Sequence, residues 1–180
     1  MSLKKKFAHV ELTDVGRVRE HNEDDIGSQP DIGLWVLADG MGGYNAGEVA
    51  SGIAVKTVID LVTEACRREK RNALEPETGY MRQTIVLRDA IMRANKIIHQ
   101  TAQSQPQCEG MGTTLVACLF YDDRVSVAHV GVRVQGIADG WPDASAWLCA
   151  FGQGGVPHDD VAPALVGLDW CAGITLSSAS

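Results

Sequence analysis

Apolar and polar positions change their spacing several times along the chain, and each change marks an element. Phe7 to Val15 alternates, with Val10 and Leu12 on one side, and predicts a strand closed by the turn Asp14-Val15-Gly16. Residues 33 to 38, with the apolar run Leu34-Trp35-Val36-Leu37-Ala38, predict a second and fully buried strand. From Asn45 the period becomes helical. Asn45-Ala46-Gly47-Glu48 resembles a capping box, and Val49, Ile53, Val58, Leu61 and Val62 carry a helix to about Arg68. A second amphipathic run, Met81 to about Gln103, carries Ile85, Ala90, Ile91, Ala94, Ile97 and Ile98, with Glu75-Pro76 separating the two helices. After Gly110-Met111-Gly112-Thr113-Thr114, residues 115 to 121 predict a buried strand. Asp122-Asp123 turns it into a partner over Arg124 to Val130, a hairpin. Strand, strand, two helices and a hairpin describe an α+β chain with antiparallel pairing.

The pattern breaks at Gly131. Residues 132 to 180 contain no Lys and no Glu yet hold Trp141, Trp147 and Trp170, and Gly or Pro interrupts every candidate element there. The reading is therefore of residues 1–131 as one unit and 132–180 as an irregular, non-matching tail.

Composition narrows the function. At 180 residues and 45% hydrophobic, the chain can bury roughly 70% of its unfolded surface without help from disulfides. Its five cysteines form no Cys-x-x-Cys pair, which argues against zinc knuckles and secreted frameworks and for a reducing cytoplasm. Met1 to Lys6 is followed by too short and polar a stretch for a signal peptide, and no run approaches the roughly 20 apolar residues of a membrane span. A net charge of −7 disfavours nucleic acid, and the basic run Arg67 to Arg71 reads as a solvated helix end.

The chemistry concentrates in Arg19-Glu20-His21-Asn22-Glu23-Asp24 and Asp39-Gly40-Met41-Gly42-Gly43. A hard divalent cation takes oxygen ligands, and Glu23, Asp39 and the Gly40 carbonyl supply them. Asp39 ends an apolar strand, where a carboxylate is costly without a cation or hydrogen bonds. The glycines let the backbone turn tightly near an ion. Arg19 could hold a phosphate bidentately, or simply pair with Glu23 one turn away. Gly40 to Asn45 lacks the third glycine of a dinucleotide fingerprint, residues 22 to 25 lack calcium-hand spacing, and Ser51 and Ser126 lack a nucleophile elbow. His129, in an apolar strand, reads as a core residue.

Six ordered segments resemble the amino-terminal part of the metal-dependent protein phosphatase family, type 2C, in its bacterial form. They are Thr13-Asp14-Val15-Gly16-Arg17-Val18-Arg19, Asn22-Glu23-Asp24, Val36 to Gly43, Gly47-Glu48-Val49-Ala50-Ser51, Met111-Gly112-Thr113-Thr114 and Val127 to Gly131. The resemblance implies a four-layer α-β-β-α sandwich, here incomplete, and hydrolysis of phosphoserine and phosphothreonine in proteins with two Mn²⁺ or Mg²⁺ ions. It implies that Arg19 contacts the substrate phosphate, Glu23 and Asp39 ligate metal with the Gly40 carbonyl, and Asp24 orders water in a catalytic role. Met41 stands where some relatives have a histidine proposed as general acid. Where the family continues from Gly131 with Asp-Ser-Arg, this chain has Val132-Arg133-Val134, and the later Ser-Asp-Gly and Asp-Asn motifs are absent. The expectation is a truncated, monomeric, cytoplasmic signalling phosphatase of weak or no activity, its tail translated in a shifted frame. The alternative is a noncatalytic phosphoprotein-binding module, and a third reading is a folding-compromised gene product.

Overall fold

The computed structural model describes residues 9–43, 46–68, 73–122, 124–130 and 174–175. Among the described residues six strands form one antiparallel sheet, and two α-helices make a layer on one of its faces. The strands are β1 (Asp24–Gln29), β2 (Leu34–Met41), β3 (Gly112–Thr113), β4 (Leu115–Tyr121), β5 (Arg124–Val130) and β6 (Ile174–Thr175), and the helices are α1 (Ala46–Arg68) and α2 (Arg82–Ser104). The sheet runs β1-β2-β4-β5-β6, with β3 pairing the end of β2. The α+β class holds. The described residues supply two of the four layers expected.

The period-2 pattern explains the faces. Leu34, Val36 and Ala38 of β2 lie opposite or beside Leu115, Ala117 and Leu119 of β4, and with Ala128 and Val130 of β5 they form the core against the helices. β2 is not buried on both faces as expected, since Leu37 is 48% exposed on the side away from the helices. On that side Trp35 packs edge-on against Phe120, with ring centroids 5.5 Å apart.

Both helices fall within a residue of their predicted bounds. The buried stripe of α1 differs in composition: Ala46, Ala50, Ala54, Val55, Val58 and Val62 face the core, while Val49 and Leu61 are exposed. Small residues let the helix approach the sheet closely, and Gly27 of β1 leaves room for the Val55 and Ile59 side chains. Arg68 pairs with Glu64 at 2.6 Å, so the basic end of α1 is a solvated helix terminus. Asn45, the predicted cap, lies outside the described residues, as do Glu69 to Arg71. The connection between the helices is closed by a bridge between Leu74 and Met81 and by Arg82 pairing with Glu75 at 3.0 Å.

Two expectations are corrected. Residues 9–15 form no strand, and Val10 and Leu12 are 94% and 85% exposed. Alternation makes a strand only where a neighbour takes up its backbone hydrogen bonds, and no described strand pairs with this segment. The first strand is instead β1, whose Asp-Asp-Ile-Gly-Ser-Gln has no apolar alternation. The turn at Asp14 is present: the Gly16 N–H donates to Asp14 Oδ1 at 2.8 Å, with Gly16 at φ 77°. The β4–β5 hairpin forms as expected, with Asp122 at φ 51° and Asp123 outside the described residues. The tail contributes Ile174–Thr175, paired with β5, to the sheet.

Candidate active site

β1 and β2 are antiparallel in a register that sets Asp24 directly opposite Asp39. Residues so paired project on one face with Cβ atoms about 4.5–5.5 Å apart, a geometry in which two like charges repel. The Asp24 carboxyl is accordingly raised above the usual aspartate value of 3.8. Desolvation is the main cause, the Asp39 charge and a hydrogen bond shared with Asp39 follow, and Arg19 opposes them.

The backbone around this pair is tied from three directions. Asn22 Oδ1 accepts the Asp24 N–H at 3.1 Å while its Nδ2 donates to Thr13 Oγ1 at 2.7 Å, joining the segment before β1 to the strand. The Gly40 N–H donates to the Glu23 carbonyl at 3.0 Å. Thr114 holds Asp39 reciprocally: the Asp39 N–H donates to Thr114 Oγ1 at 3.2 Å, and the Thr114 N–H donates to the Asp39 carbonyl at 2.9 Å.

Gly40 does not make the tight turn expected of it. β2 continues through Met41, with Gly40 paired to Thr113 of β3, and glycine is required there because a Cβ would collide with the Gly47 carbonyl. Arg19 Nη1 lies 3.6 Å from Glu23 Oε2, with the Arg19 side chain 68% exposed, so Arg19, Glu23, Asp24 and Asp39 all belong to one cluster. Ser51 is buried and its Oγ donates to helix carbonyls of α1, which removes it from any nucleophilic role. His129 is buried in β5, as the core reading held.

A divalent cation suits the aspartate pair, because it converts a repulsive juxtaposition of carboxylates into a ligand set, and an all-oxygen set suits Mg²⁺ or Mn²⁺. Among the described residues no three His, Cys, Asp or Glu side chains converge closely enough to hold an ion by themselves. Main-chain oxygen and water would have to complete any shell, as is common for Mg²⁺.

A family profile described as protein phosphatase 2C matches residues 16–132. The chain belongs to that family. It is 41% identical over 130 residues to the serine/threonine phosphatase stp of Listeria monocytogenes, covering 68% of this chain and 47% of that protein. It is 37% identical over 120 residues to the serine/threonine protein phosphatase PstP of Mycobacterium tuberculosis, covering 66% of this chain and 20% of that one. The catalytic domain of PstP in complex with two manganese ions superposes with a TM-score of 0.50 at 36% identity, over 64% of this chain and 44% of that one. The chain thus spans about half or less of the length of these phosphatase 2C relatives. No helix among its described residues is long and apolar enough to cross a membrane.

The positioning residues Thr114, Gly47 and Asn22 were not singled out as site residues by sequence reasoning. Their signal lay in the short motifs themselves: a polar Thr-Thr before an apolar strand, a glycine inside a helical pattern, and an Asn two residues before Asp24.

Proposed function

We propose that the chain carries the amino-terminal part of a metal-dependent serine/threonine protein phosphatase site that acts on phosphoserine and phosphothreonine proteins. The observation that carries this reading is the apposition of Asp24 and Asp39 across β1 and β2, next to Glu23 and an exposed Arg19. Glu23, Asp39 and the Gly40 carbonyl are the metal donors, for Mn²⁺ or Mg²⁺, two ions in the intact site. Bound there, the metal supplies positive charge that neutralises phosphate oxygens and acidifies water.

The chain's own groups do the rest. Arg19 offers a planar fork of N–H donors matched to phosphate oxygens, and its exposed pair with Glu23 is weak enough to exchange for a substrate. Asp24 accepts hydrogen bonds from water beside the donors. Asn22 and Thr114 fix the main chain on which both aspartates ride.

Residues 1–131 make up the phosphatase part, and 132–180 are translated in a shifted frame, which accounts for the loss of motif at one point. Coding DNA that fails to give Asp-Ser and a continuing strand in either other frame past the Gly131 codon defeats this. With Val132-Arg133-Val134 standing where the family continues Asp-Ser-Arg, one expected carboxylate is replaced, and turnover is weakened. The relatives' names support phosphoprotein substrates, and the acidic charge supports a protein partner over nucleic acid. The protein is read as a cytoplasmic monomer engaged in signalling.

Mn²⁺-dependent hydrolysis of a phosphopeptide tests the proposal. Turnover abolished by Asp39→Asn supports the enzyme. Saturable phosphopeptide binding with no turnover, lost on Arg19→Ala, supports the alternative of a noncatalytic module.

A further inference from the structure

Alanine is preferred over glycine inside helices, so a glycine in the first turn of α1 calls for a reason. Gly47 does not adopt a positive φ, unlike Gly16, Gly33, Gly79 and Gly110. Backbone conformation therefore does not demand glycine there; room does. A Cβ on Gly47 would stand 2.5 Å from Glu23 Oε1, 2.8 Å from Glu23 Cδ and 3.0 Å from the Gly40 carbonyl carbon. Glu23 is held from the other side too, since its carbonyl accepts the Gly40 N–H at 3.0 Å and lies 2.7 Å from where a Gly40 Cβ would be. Gly52, further along the same helix, is a contrast: the nearest atom to a Cβ there is Asp25 Oδ2 at 3.9 Å, an ordinary contact.

We infer that Gly47 is a positioning residue for the Glu23 carboxylate, its bare α-carbon forming the seat that keeps that group in the cluster with Arg19, Asp24 and Asp39. The inference rests on the reading of Glu23 as a metal donor. A methyl group at 47 meets the Glu23 carboxylate first, at 2.5 Å, and displaces it outward from its pair with Arg19, with the Gly40 carbonyl carbon the next atom it presses on. The tightest contact is with the movable end of a side chain that is itself a donor, so the effect appears in metal affinity before it appears in the fold.

Calorimetric titration of the full 180-residue chain with Mn²⁺ alone, paired with circular dichroism, tests this. Gly47→Ala is expected to bind Mn²⁺ roughly 10-fold to 100-fold more weakly, the range for losing a group that orients a ligand, with unchanged helical signal. Gly52→Ala is expected to bind as the parent does. Glu23→Asp in the Gly47→Ala background withdraws the carboxylate by one methylene and is expected to recover part of the loss. Parent-like Mn²⁺ affinity in Gly47→Ala, alongside weakened binding in Glu23→Gln, overturns the inference and leaves Glu23 a donor. The absence of any recovery in the double variant overturns it as well. A parent chain that takes up no Mn²⁺, or a Glu23→Gln variant that binds as the parent does, defeats the metal reading and this inference with it. Should Gly47→Ala fail to fold, Gly47→Ala/Glu23→Ala decides. Restored helical signal supports the carboxylate seat, and continued unfolding assigns the glycine to backbone packing against Gly40.

Discussion

Asp24 and Asp39 face each other across a strand pair, an arrangement of like charges that the fold by itself does not reward. Cross-strand like charges cost roughly 0.2–1 kcal/mol. Asp39→Asn is therefore expected to leave the metal-free protein at least as stable as the parent while removing the rise in melting temperature that Mn²⁺ produces, a comparison made by thermal denaturation with and without the ion. The pH dependence has a definite sign. Asp24 and Asp25 both have folded-state affinities for protons above the ordinary aspartate value of 3.8, desolvation being the main cause in each. Their contribution to stability is present below that value and is lost as pH rises through the higher folded values. Urea midpoints of the metal-free protein should accordingly fall, relative to the doubly neutral Asp24→Asn/Asp25→Asn variant, as pH is raised from below 3.8 through that range. Cys118, half-buried on β4, has its thiol pushed up to about 11 by burial. It is expected to react slowly with a thiol probe at pH 7 and faster as pH approaches that value, because only the thiolate attacks.

At the scale of elements, α1 and α2 were readable because a 3.6-residue period sustained over 23 residues leaves little else to choose. The β4–β5 hairpin was readable from two apolar runs around a polar turn. β1 was not, because it is short, has Asp24 and Asp25 at one end, and owes its strand conformation to pairing with β2. The residues 9–15 misled in the opposite direction, having the alternation without a described partner. Close packing of α1 on β1 makes a prediction of its own. A Cβ on Gly27 would lie 2.7 Å from Ile59 Cδ1 and 2.9 Å from Val55 Cγ1. Gly27→Ala is thus expected to cost about 1–3 kcal/mol by overpacking, seen as a lower denaturant midpoint with unchanged slope.

For the whole molecule, the core joins β2 and β4 to both helices. Leu34 and Leu119 are register partners and both buried beneath the helical layer. Truncating either to Ala should cost about 2–5 kcal/mol in chemical denaturation. The double variant should cost less than the sum, since two neighbouring cavities merge and relax together. The hydrophobic pattern and the order of motifs sufficed for the antiparallel α+β class, the two helices, the hairpin and the phosphatase 2C resemblance, because period and local chemistry are properties of adjacent residues. The residues Arg19, Glu23, Asp24, Asp39 and Gly40 could be named on the same basis. What tertiary structure alone decided was their company: that Asp24 stands opposite Asp39, that Thr114 ties down a strand 75 residues away, and that Gly47 makes room for Glu23. Register and steric room arise between segments distant in the chain, and no local period encodes which carboxylate a particular glycine will meet.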